Sequence, residues 1–220
     1  MSKKILMVLT NTSQMDAEHK TGLWFSEFAE PYTEFKKQGF EVAVTSPQGG
    51  EIPIDPNSTN EEEKKKWSEA MEVLQNTDKL AQYQADSFDG IFLPGGHGTM
   101  FDLPKDESLQ SILTAFSNQD KVIAAVCHGP AGLVGAKRSD GKPLVEGKQM
   151  TAFTDREEKE TGLDSLMPFL LESKLRELGA HVETKENWAD HVIVDGKLVT
   201  GQNPQSGQSA AEAVVKLLNQ

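Results

Sequence analysis

The chemistry in this 220-residue chain gathers around one stretch, Lys121-Val-Ile-Ala-Ala-Val-Cys127-His128-Gly129-Pro130-Ala131-Gly132. Val122 to Val126 reads as a short strand buried on both faces, after which the chain turns through His-Gly into a small-residue helix start. Cys127 stands at that turn. The order small-x-nucleophile-x-Gly, here Ala125 to Gly129, has the logic of a nucleophile elbow: a sharp strand-to-helix turn lifts the reactive side chain out of the sheet. Free N–H groups at the helix start then favour a thiolate or an oxyanion. A free cysteine is also among the most buried residue types, and an apolar strand is where an inert one would lie. The continuation favours the reactive reading, because a core cysteine needs neither a histidine beside it nor a glycine two residues on.

His128 is the nearest base by sequence. Adjacent side chains at an elbow need not face each other, so its imidazole can instead turn outward to an acid from elsewhere, or the residue can supply only backbone. A second glycine-rich turn, Gly95-Gly96-His97-Gly98-Thr99, follows an apolar run at Gly90 to Pro94. It fits neither a dinucleotide fingerprint nor a phosphate-binding loop, but it permits backbone N–H groups to approach a ligand closely. The five histidines, His19, His97, His128, His181 and His191, show no paired ligand spacing, so no metal is expected.

The elements around these turns read as α/β alternation. A strand at 4 to 10 is followed by a polar loop, Asn11 to Thr21, and a helix from about Leu23 to Gln38, in which Pro31 should produce a kink or a break. Phe40 to Thr45 is the next strand, giving the β-α-β start of a parallel sheet. Residues 51 to 87 interrupt the alternation as an insertion or lid, with a capping box at Thr59 to Glu62 before a charged helix reaching about Gln75. A helix at about Glu107 to Asn118 leads to the Cys127 strand. Beyond it come a turn and strand within Lys142 to Met150, an acidic segment from Thr154 to Glu160 and a helix from Pro168 to Leu178. Strands at His181 to Lys185 and Val192 to Thr200 follow, the latter with a hairpin turn at Asp195-Gly196, and a last helix runs from about Gln205 to Leu218. Ligands of open α/β sheets gather beyond the carboxyl ends of the strands, which places Cys127, the Gly95 to Gly98 loop and the Asn11 to Thr21 loop on one rim.

The formal net charge of −12 argues against nucleic acid or an anionic membrane as partner. One cysteine excludes an internal disulfide framework and suits a reducing compartment. The apolar run at Ile5 to Leu9 is too short for a secretory signal, so a cytoplasmic protein is expected, organised as one domain over 1 to 220.

Four segments in this order, Lys20-Thr-Gly-Leu-Trp-Phe-Ser-Glu27 with Pro31-Tyr32, Leu93-Pro-Gly-Gly-His-Gly98, Ala125-Val-Cys-His-Gly-Pro130 and Gly201-Gln-Asn-Pro204, resemble the ThiJ/PfpI superfamily. The similarity is closest to its glutathione-independent glyoxalase (glyoxalase III) and chaperone branch. The resemblance implies a flavodoxin-like three-layer α/β sandwich of the class I glutamine amidotransferase-like type, with a mostly parallel sheet and a nucleophile elbow, assembled as a homodimer. It implies Cys127 as nucleophile with His128 beside it, and Glu27 as a helix carboxylic acid approaching the thiol. A carboxyl kept protonated in a dry site can donate to a thiolate and shuttle protons. The Gly96 and His128 N–H groups would form an oxyanion site, with Gly95, His97 and Trp24 on the substrate side. A third acid orienting His128 should lie in Thr154 to Glu160; Glu158 is preferred, with Glu157 and Asp155 as rivals.

The activity so implied is conversion of methylglyoxal to lactate without glutathione or any cofactor, with deglycase activity as the same chemistry on a glycated thiol or amine. Two other readings stand beside it. One is a cysteine peptidase or amidase using Cys127, His128 and Glu158. The other is a stress chaperone for unfolded proteins, or a redox sensor in which Cys127 is oxidised.

Overall fold

The computed structural model describes residues 2–220. In chain order the elements are β1 (Lys4–Val8), α1 (Phe25–Lys37), β2 (Glu41–Ser46), α2 (Glu61–Lys66), α3 (Ser68–Val73), β3 (Asp78–Lys79), β4 (Gly90–Leu93), α4 (Thr99–Asp102) and α5 (Glu107–Asn118). They continue with β5 (Val122–Val126), β6 (Gln149–Met150), α6 (Asp155–Thr161), α7 (Leu171–Glu177), β7 (His181–Val182), β8 (Val192–Asp195), β9 (Leu198–Gly201) and α8 (Gly207–Leu218). Seven strands form one sheet in the order β3-β2-β1-β4-β5-β9-β8, parallel except for the β8–β9 hairpin.

Two apolar clusters cover the two faces of the sheet. Successive β1 residues alternate between them: Ile5 and Met7 pack with Phe28, Phe35 and Val214 of α1 and α8, while Leu6 and Val8 pack with Leu109, Leu113 and Phe116 of α5. All five residues of β5 are buried, as a central strand sandwiched between helices must be. The fold is therefore the three-layer α/β sandwich with a mostly parallel sheet.

Several local expectations need correction. Pro31 does not break α1, which runs unbroken over 13 residues. Proline removes only its own N–H, whose helical acceptor would be the Glu27 carbonyl, and burial of Phe28, Tyr32 and Phe35 on the same helix outweighs that one bond. The capping box lies one residue later than read, with Asn60 accepting from the Glu63 N–H and the Glu63 side chain accepting from the Asn60 N–H. The charged helix is two short helices, divided at Trp67, whose ring packs edge-on against Phe25 with centroids 5.8 Å apart. Part of the 51 to 87 segment joins the sheet edge as β3, while Pro53 and Asp55 pair by backbone with Leu23 just ahead of α1. The turn after Cys127 is a 3-10 helix, Gly129–Leu133, rather than an α-helix. The strands read at 142 to 150 and 181 to 185 shrink to the two-residue β6 and β7, which pair only with each other.

Candidate active site

Cys127 leaves β5 with a φ of 59°, a left-handed conformation that costs a non-glycine residue strain and turns the chain sharply off the strand. The backbone is held on both sides: the Cys127 N–H donates to the Gly201 carbonyl and its carbonyl accepts from the Phe153 N–H, each at 2.9 Å. The Thr99 hydroxyl sits between the carbonyls of Gly96 (2.8 Å) and His128 (2.9 Å), tying the β4 turn to the elbow. Asp102 ties in the third rim loop by accepting from the Asn11 N–H at 2.7 Å and the Thr10 hydroxyl at 2.9 Å.

His128 spans two partners. Its Nδ1 lies 3.4 Å from Cys127 Sγ and its Nε2 2.5 Å from Glu158 Oε2, so both of the alternatives left open for this imidazole are realised at once. Glu158 uses its other oxygen on His97, with Oε1 2.5 Å from Nε2. One carboxylate thus holds two imidazoles, whose centroids are 4.2 Å apart, and Phe153 packs on His128 at the same spacing. Burial works against the charged form of Glu158, but the two histidines together hold its carboxyl well below the usual range. Burial, helped by His97, lowers the pKa of His128 and keeps this imidazole suited to act as a base.

Glu158 is chosen over its neighbours by what each of them meets. Glu157, fully buried, accepts from the Thr154 N–H, the Trp188 N–H and the side-chain amides of Gln202 and Asn203. It therefore anchors α6 to the Gly201-Gln-Asn-Pro204 turn. Asp155 faces Ser173 on α7. The positioning roles of Thr99, Phe153 and Glu157 were not read from sequence, where Glu157 stood only as a rival acid for His128. The signal for the role it does have was the polar Gln202-Asn203 pair directly after a buried strand.

Glu27, fully buried on α1, accepts the Gly95 N–H through Oε2 at 2.8 Å, and its Oε1 has no hydrogen-bond partner at normal geometry. Burial raises its pKa to about 8 against the lowering effect of the Cys127 thiol and the Gly95 N–H. Burial, and then the negative charge of Glu27, raise the Cys127 thiol well above its ordinary value. Thiol and carboxyl thus compete for protons, and a thiolate forms most readily while Glu27 is protonated. A Cβ at position 95 would lie 2.7 Å from both Glu27 Oε2 and the His128 nitrogen, so only glycine leaves room for this contact. Neither Gly96 nor His128 donates its N–H to a backbone acceptor among the described residues, and that of His128 is directed at the Cys127 sulfur, so the pair is placed to meet an oxyanion developing beside the thiol. Trp24 is the residue that precedes α1, and its N–H donates to the Gly95 carbonyl at 3.1 Å.

His97, His128 and Glu158 offer ligand atoms within 4.8 Å of one another, a metal-like grouping that spacing in sequence does not show. Each imidazole Nε2 is nevertheless only 2.5 Å from a carboxylate oxygen, whereas two ligands about 2.0 Å from one tetrahedral ion stand roughly 3.3 Å apart. The geometry is that of a hydrogen-bonded carboxylate between two imidazoles.

The raised carboxyl carries a stability prediction. Glu27 has a folded pKa of about 8 against 4.5, so between these values the folded state holds a proton that the unfolded state has lost. Stability falls as pH rises through that window. Glu27→Gln should therefore match the wild type near pH 4.5 and melt progressively higher than it up to about pH 8, by a few kcal/mol at most. Thermal melts of both proteins across this range check it; a constant offset would show that Glu27 is not held protonated.

Residues 21–217 match the model of the DJ-1/PfpI family. The chain is 35% identical to the glutathione-independent glyoxalase HSP31 of Saccharomyces cerevisiae, over 95% of each chain. Its structure resembles that of glyoxalase III from Candida albicans, with a TM-score of 0.89 and 31% identity, covering 98% of this chain and 97% of that one. The Rapid Encystment Protein 24 KDa of Francisella tularensis is 36% identical, with a TM-score of 0.93 over 98% and 99% of the two chains.

Proposed function

The chain belongs to the DJ-1/PfpI family, and on that premise we propose that it converts methylglyoxal to lactate without glutathione, with Cys127 as nucleophile and Glu27, His128 and Glu158 moving or directing protons. The observation that carries this reading is a buried carboxyl, Glu27, set against the strained thiol at the elbow, in addition to the His128–Glu158 pair that the thiol also meets. An ordinary acyl-transfer site needs the second pair; an internal proton transfer between two substrate carbons needs the first as well.

The steps balance without an oxidant. The thiol adds across the aldehyde, forming the S–C1 bond while its proton ends on O1. Glu27 or His128 takes the C1 hydrogen while the O1 proton passes to O2, giving an enediolate. Return of the carbon-bound proton to C2 gives a thioester. Water then cleaves S–C1, restoring the thiol and releasing lactate. The Gly96 and His128 N–H groups support oxygen-centred charge along this path.

Burial favours a small substrate. Cys127, His128, Glu158 and His97 are 3%, 1%, 2% and 6% exposed, so an aldehyde of a few atoms is better suited to the site than a polypeptide. This speaks against the peptidase reading and against direct repair of glycated proteins. Val194 is the one large exposed apolar side chain among the described residues, which gives the client-holding reading little surface. No helix among the described residues is long and apolar enough to cross a membrane. We take residues 1 to 220 as one cytoplasmic, homodimeric domain in which segment 51 to 87 braces the start of α1 through Leu23 and Phe25, and so helps fix Glu27.

Glutathione-free incubation of the purified protein with methylglyoxal, followed by enzymatic assay of both compounds, tests the reading. Equimolar lactate is expected. Consumption without lactate would mean that the thiol merely traps the aldehyde.

A further inference from the structure

We propose that His97 is a second acid–base group of this site, exchanging protons with the two substrate oxygens through Nδ1 while Glu158 holds its Nε2. The proposal rests on the glyoxalase reading and adds a role to it. An ionised carboxylate only accepts hydrogen bonds, so both imidazoles that contact Glu158 must present Nε2–H to it. In its neutral form each ring then has its lone pair on Nδ1. That of His128 faces Cys127 Sγ. That of His97 has no partner among the described residues, the ring's one side-chain bond being to Glu158.

Nor is this atom sealed in. Among the described residues the buried side-chain polar atoms without partners are Glu27 Oε1, Thr151 Oγ1 and His191 Nε2, and His97 Nδ1 is not one of them, although the residue as a whole is only 6% exposed. The atom thus keeps some accessible surface, and its residue directly follows Gly96, whose N–H has no backbone acceptor, and lies beside His128, with ring centroids 4.2 Å apart. A purely structural histidine is not required here. The turn is already fixed by Thr99 between the Gly96 and His128 carbonyls and by the Asp102 clamp.

The reaction also needs such a group. While Glu27 or His128 carries the hydrogen from C1 to C2, O2 must gain a proton and O1 must lose one. As the C1 hydrogen leaves and charge builds on O2, His97 takes the O1 proton on Nδ1 and delivers it to O2, and protonation of C2 then leaves O1 as the thioester carbonyl. It ends in its starting state, with no net proton gained or lost. One carboxylate orienting both rings sets the carbon-directed and oxygen-directed transfers in fixed register.

The test compares wild type, His97→Gln and His97→Ala in methylglyoxal turnover, in Cys127 alkylation by iodoacetamide and with added imidazole. Glutamine keeps an N–H donor for Glu158 but cannot transfer protons. The expected result is a kcat lower by roughly 10²- to 10³-fold in both variants, alkylation within about threefold of wild type, and at least about tenfold recovery of His97→Ala by imidazole. A kcat within about threefold of wild type in either variant overturns the assignment. So does a parallel loss of alkylation and turnover with no response to imidazole, which would make His97 a positioning residue. Failure of the wild type to form lactate overturns the glyoxalase reading and this inference with it, a result distinct from the other two.

Discussion

Cys127→Ala should leave lactate formation lower by on the order of 10⁴-fold or more, the largest effect of any single change in this protein. Cys127 is the chain's one thiol, and no other residue stands both at a φ of 59° beyond the central strand and within 3.4 Å of a histidine. Without sulfur no hemithioacetal forms. The later proton transfers then lack the covalent anchor that holds C1 and C2 between Glu27 and His128. Alanine removes little volume from the turn, and the bonds from Gly201 and Phe153 to the residue 127 backbone do not involve the side chain. The variant is thus expected to remain folded, as circular dichroism would show. A time course of lactate appearance against wild type is the measurement, and turnover within tenfold of wild type would dismiss Cys127 as the nucleophile.

Glu158→Gln should lower kcat by on the order of 10³- to 10⁴-fold with the elbow itself unchanged. The carboxylate accepts from two Nε2–H groups at once. A carboxamide can accept from one, but it turns an N–H toward the other and forces that ring into the opposite tautomer or out of place. If the displaced ring is His128, its Nδ1 gains a proton and no longer serves as a base toward Cys127. The same substitution has a signature in stability. Because the histidines depress the Glu158 pKa in the folded state, its contribution is fully present above the ordinary glutamate value near 4.5 and is lost as pH falls below it. Urea unfolding should show wild type and variant differing most at pH 7 and converging toward pH 3. An equal difference at both pH values would mean that the two histidines do not hold Glu158 ionised.

Much of the scaffold is legible in the chain. The apolar run Val122 to Val126, the Asp195-Gly196 turn and the amphipathic patterns of α5 and α8 are local signals, set by side-chain period and by which residues tolerate a turn. The elbow is legible for the same reason, since its strand, nucleophile and glycine are contiguous. Where local signals tie, the sequence loses register. Thr59 and Asn60 are both competent caps, and only the structure selects Asn60. Pro31 reads as a breaker because a single missing N–H is visible in sequence, while the apolar face that outweighs it is assembled from other elements.

The site itself divides along the same line. Types and spacing pointed to Cys127, His128 and the two glycine turns, and the resemblance added Glu27. Glu157 and Glu158 were indistinguishable as members of an acidic run, yet successive helical residues point about 100° apart. Packing of α6 against the β9 turn sends one to Gln202 and Asn203 and the other to His97 and His128. His97 and Glu158 are 61 positions apart, and their meeting depends on the order in which β4 and β5 lie in the sheet and on how α6 seats over their ends. The sequence by itself determined most of the elements and the elbow turn, because those follow from neighbours along the chain. Only the tertiary structure decided which acid holds which base, because that depends on the summed packing of segments distant in sequence.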